Sequence, residues 1–165
     1  MAYVDSELAL RSINKAISDN GGDHYPNEWI VQRVVDANSS LNQDGVIVAV
    51  TIAYRTIDLV SKGIHDNKSA AKYLVSEVKY NRTGKAGRSF LCDGVMSVLD
   101  FYEVSDGVVF KGSEDGLYEF SKEVQRQMSN ERLLIFTLIA SVAIVVADDL
   151  FGVLAKNVNF NWLSL

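Results

Sequence analysis

Apolar residues along this chain recur every three or four positions, and polar clusters cut it into helix-sized pieces. From Ser6 to Asn20, Ala9, Ile13, Ala16 and Ile17 share one stripe, Asp5 or Ser6 can cap the start, and "NGG" ends it. "DHYPN" turns the chain, Asn27 can cap, and Trp29, Ile30, Val34 and Val35 predict a second short helix. The third piece, "GVIVAVTIAYRTIDLVSKG", opens with β-branched residues that suit a strand. However, Val46, Val50, Ala53, Ile57 and Val60 keep helical spacing, and Gly63 stands where a helix C-cap belongs. The prediction is a helix enclosed by neighbours.

Asn67 can cap a fourth helix through "KSAAKYLVSEVKY", and a fifth follows in "SFLCDGVMSVLDFYE", where Phe90, Leu91, Val95, Val98 and Leu99 keep the period. Residues 100–111 then read as a small β-hairpin, two aromatic and β-branched arms about Ser105, Asp106 and Gly107. "SEDGLYEFSKEVQRQMS" returns to helix, with Leu117, Phe120 and Val124 on one side.

Residues 133–147, "LLIFTLIASVAIVVA", are uncharged between Arg132 and the pair Asp148 and Asp149. As a helix this run reaches about 22 Å, short of the roughly 30 Å of a bilayer core. Extending it to Ala155 draws two carboxylates inward at about 2.5–3.5 kcal/mol each. A buried core helix is therefore expected, with a membrane anchor as the lesser alternative. The tail 156–165 alternates, with Val158, Phe160 and Trp162 on one side, so it reads as an extended segment. The predicted architecture is a mostly α-helical, compact multi-helix bundle over 1–165, packed around the 46–62 and 132–155 helices, with one small β-hairpin and an extended C-terminal tail.

Composition narrows the function classes. With 165 residues, 48% hydrophobic, the chain can bury a self-sufficient core. A net charge of −5 argues against general affinity for nucleic acid, so any such binding must be local. Cys92 is the only cysteine, which excludes an intramolecular disulfide and a cysteine-rich metal site. "MAYVDSELALRS" lacks the basic-then-apolar order of a secretion signal, so a cytoplasmic chain is expected, in a host cell or a virion if the chain is viral.

Against the acidic background, "KYNRTGKAGRS" sets Lys79, Arg82, Lys85 and Arg88 at a spacing of three with no acid among them. Gly84 and Gly87 let the backbone approach a ligand, and Tyr80 and Phe90 can stack at either end. The stretch lacks the first glycine of a P-loop, and a solvated connection between helices is the competing reading.

Other chemistry is sparse. His24 and His65 each adjoin an aspartate, Asp23 and Asp66, but no HxxH spacing accompanies them, and no metal or cofactor is expected. Cys92 follows apolar Phe90 and Leu91 and reads as a buried thiol, and Asp148 and Asp149 point about 100° apart on a helix. Acids from Asp106 through Glu114, Asp115, Glu119 and Glu123 make a negative face that either meets water or a basic partner. Phe160, Trp162 and Leu165 are aromatic and apolar anchors of the kind that dominate interfaces, or a clasp on the chain's own bundle.

The expected function is a non-enzymatic protein-binding or self-assembly module, such as a viral or phage structural subunit or an inhibitor or immunity-type protein. Its partner would be another protein or copies of itself. A coat- or nucleoprotein-like subunit that binds nucleic acid or phosphate at 79–89 is the alternative. A small enzyme using Cys92 or a histidine is the third.

Overall fold

The computed structural model describes residues 4–81, 88–110 and 116–130. The chain divides into two compact units, Met1–Gln127 and Met128–Leu165, and the features below belong to the first. Within the described residues the protein is mostly helical and contains no strand.

Helix α1, Ser6–Asp19, starts where the Asp5 carboxylate accepts the amides of Glu7 and Leu8, and it buries Ala9, Ile13 and Ile17 at intervals of four. Helix α2, Glu28–Ala37, is capped by Asn27, whose side chain accepts from the Ile30 amide at 2.9 Å. Each cap satisfies donors that the first helical turn leaves without a partner.

Helix α3, Gln43–Ser61, settles the ambiguous third piece in favour of helix. It packs against α1 and α2, and also against α4, Asn67–Tyr80, and α5, Arg88–Ser105. Contact on several sides explains why its apolar residues do not keep to one stripe: Val46, Val50, Ala53 and Ile57 are buried, and so are Ala49 and Ile52. Gly63 follows the helix with φ +69°, the left-handed value a helix-ending glycine supplies. The cap of α4 is Asp66, one residue before the expected Asn67; its carboxylate accepts the Ser69 amide at 2.7 Å.

The β-hairpin over 100–111 is a correction. Helix α5 runs on to Ser105, and the intended first arm is its last turn. The buried series Leu91, Val95, Val98, Leu99 and Tyr102 shows why: continuing the helix puts Tyr102 on the core face, which a strand arm would abandon. Gly107, with φ +108°, then redirects the chain so that Phe110 is enclosed. Phe110 stacks on Phe120 with ring centroids 4.1 Å apart. Phe120 and Val124 are buried on the sixth helix, α6, over 116–130, on the side the spacing predicts.

Among the described residues, no helix is long and apolar enough to cross a membrane. The apolar run 133–147, the pair Asp148 and Asp149, and the tail with Phe160, Trp162 and Leu165 lie outside the described residues.

Candidate functional site

The basic stretch spans the end of α4 and the start of α5. Lys79 and Tyr80 end α4, and Lys79 sits in its last turn, where a cation is favoured by the helix dipole. Tyr80 is 79% exposed, and Phe90, on the first turn of α5, is 50% exposed. Two aromatic rings thus stand in solvent at the two ends of the basic stretch. Arg88 is half-buried at the start of α5, and Arg82 and Lys85 lie outside the described residues.

Neither histidine forms an acid–base pair with the aspartate beside it. His24 turns instead to Asp58, with its Nδ1 2.5 Å from the carboxylate. Asp58 lies on α3 and is only 5% exposed. The Asp23 amide donates to both of its oxygens at 3.2 Å. One turn further on, at the C-cap of α3, the Lys62 ammonium meets the Asp23 carboxylate at 2.8 Å and holds the Asp23 pKa below the usual range. The same ammonium donates to the Gly21 carbonyl at 3.3 Å. Asp58 and Lys62 therefore lace the α1–α2 connection to α3.

The lacing needs Gly22, because a Cβ there would lie 2.6 Å from the Asp58 carboxylate and 2.5 Å from the Ile17 side chain. Asp58 was missing from the sequence candidates. Its signal was available: a lone carboxylate among apolar helical positions at 46–60 must find partners once the helix is enclosed.

His24 also meets Tyr102 edge-on at 6.4 Å, and Tyr54 meets Tyr102 edge-on at 5.7 Å. Burial raises the Tyr102 phenol pKa, with the carboxylates of Asp106 and Asp58 adding to the rise. A cavity of about 720 Å³ opens between Tyr102, the segment 106–109, the end of α3 and the turn into α4. His65 lines it, 6.1 Å from the Tyr73 ring, while its neighbour Asp66 is engaged in capping α4.

Cys92 is buried, and loss of water pushes its thiol up to about 11, with Asp93 adding to the rise and Arg88 opposing it. Of the acidic face, Glu123 is held by its own helix: Arg126 donates at 2.8 and 2.7 Å and Gln127 at 2.8 Å. These bonds hold the Glu123 carboxyl at about 2. Among the described residues, no group of three or more His, Cys, Asp or Glu is placed to hold a metal ion. No family model, curated protein or solved structure matches the chain.

Proposed function

We propose that the protein is a non-enzymatic binding or self-assembly module that recognises an acidic surface, on a partner protein or on another copy of itself, through residues 79–89. The observation that carries this reading is the pair of exposed rings, Tyr80 and Phe90, flanking a run of cations. Exposed aromatics and Arg are enriched at interfaces, where the ring supplies buried area, while surrounding Lys charges act at the polar rim and supply selectivity. The groups that would serve catalysis are engaged elsewhere: Asp58 in holding a connection, Asp66 in capping a helix, and Cys92 as an enclosed thiol. The aromatic tail, with Phe160, Trp162 and Leu165, is a second set of anchors in this reading.

Neutralising Lys79, Arg82 and Lys85 to Gln, with Arg88 left in place because it is half-buried, tests the proposal. Concentration-dependent mass in light scattering, or capture of an acidic partner, should be lost while the unfolding midpoint holds. Exposed substitutions of this kind shift stability by less than about 0.5 kcal/mol. A triple variant that associates as the wild type does would refute the reading. The same rings support a second one, because they can stack on bases: retention on a polyanion column with a steep salt dependence would favour nucleic acid.

A further inference from the structure

We propose that the partner of the basic surface is a second copy of this chain, and that two copies pair antiparallel along the exposed face of α5. This pairing rests on the reading of residues 79–89 as a surface that seeks acid, and it names where that acid lies.

Helix α5 is about 27 Å long, and its solvent face carries opposite chemistry at its two ends. Phe90, Ser97 and Val104 follow at intervals of seven, which keeps them within about 40° on one side of the helix. Phe90 is 50% exposed, and the chain reaches it from Lys79 and Tyr80, both exposed at the end of α4. At the other end Val104 is 78% exposed. One turn before it, Phe101 meets Trp29 of α2 edge-on at 6.1 Å, and Trp29 is itself 44% exposed. Uncovered apolar patches of this kind mark interaction surfaces. The surroundings are acidic: Glu28, Asp100 and Asp106 are exposed, against one cation, Arg33, which lies over the Trp29 ring. Asp100 and Asp106 form no ion pair among the described residues.

Both ends lie on the same face of one helix, so they point the same way and cannot meet within one molecule. A second copy, turned end for end, lays its acidic apolar end on Tyr80, Phe90 and the cations. It offers its own cations to Asp100 of the first copy. The two contacts form together, and the relation between the copies is the two-fold that closes a dimer. Phe90 then covers Val104 of the other copy, and Ser97, a small residue that lets the helices approach, meets its own image. This register has one cost, since Asp93 comes beside Asp100 of the other copy.

Sedimentation equilibrium of the full chain tests the pairing. The mass should rise with concentration and level at two copies. Asp100→Lys with Asp106→Lys should stay monomeric, and so should Lys79→Glu with Arg82→Glu and Lys85→Glu. Mixed in equal amounts, these two variants should pair one to one, because each supplies the charge the other has lost. Asp93→Asn should tighten the dimer about tenfold, since the like-charge contact it relieves occurs twice. Ser97→Cys should cross-link two copies when oxidised glutathione is added, while the wild type, whose Cys92 is buried, should not. A mass that levels above two copies, a mixture that stays monomeric, looser association of Asp93→Asn, or no cross-link at Ser97→Cys overturns the proposal. So does an acid-end variant that dimerises as the wild type does, and if the basic-end variant is monomeric beside it, the reading of residues 79–89 survives. A wild type that stays monomeric yet captures an acidic partner likewise sinks the pairing alone. A basic-end variant that associates as the wild type does sinks both.

Discussion

A buried carboxylate is costly in isolation, so the surroundings of Asp58 determine what it does. Its oxygens accept the Asp23 amide and face the His24 ring, and every partner lies on a connection more than 30 residues away in sequence. Asp58→Ala would strand the Asp23 amide and the imidazole, and should lower the unfolding free energy by about 3 kcal/mol in urea denaturation. A loss below about 0.5 kcal/mol would mean the lacing contributes nothing. Tyr54 offers the opposite case. It is 1% exposed, and its hydroxyl has no partner among the described residues. Tyr54→Phe keeps the edge-on ring against Tyr102 and deletes the stranded hydroxyl, so stability should hold or rise by up to about 1 kcal/mol. A clear loss would reveal a partner for that oxygen.

Helices and their ends were largely legible from spacing, because caps and apolar stripes are local signals. Asp5 and Asn27 cap as their chemistry suggests, and α3 follows the series Val46, Val50, Ala53 and Ile57 despite its β-branched start. At Asp66 and Asn67 two capping residues stand side by side, and only the geometry of the turn after Gly63 selects the first. The hairpin reading failed for a different reason. Over a few residues, aromatic and β-branched side chains before a glycine satisfy a strand pattern, while the helical register of Tyr102 shows only when counted from Leu91.

Within α6, Glu123 gives an acid-linked prediction. Its folded pKa, about 2, lies below the ordinary 4.5, so its contribution is present above about 4.5 and is lost as the pH falls through about 2. The stability difference between wild type and Glu123→Gln should therefore narrow over that interval in acid titration. A difference that stays constant down to pH 2 would mean the pairing with Arg126 does not favour the folded state.

For the molecule as a whole, the helical class was readable and the candidate site only half so. Tyr80 and Phe90 stand exposed at the ends of the basic stretch, an arrangement that adjacency in sequence suggested. The cavity was invisible because its walls come from α3, the turn into α4, and the segment after α5, which meet only in the folded chain. The same holds for Asp58 and His24, whose partnership depends on α3 lying at the centre of the bundle.

That partnership also bears on hydrogen exchange. Asp23 belongs to an exposed connection, where a backbone amide ordinarily trades its proton with water within moments of opening. Its acceptor, however, is a carboxylate embedded in α3, so releasing the amide requires the connection to come off the central helix. The Asp23 amide should exchange far more slowly than those of residues 39 and 40, at a rate close to that of the α3 core. Exchange as fast as at those turn residues would show that the connection opens without disturbing α3.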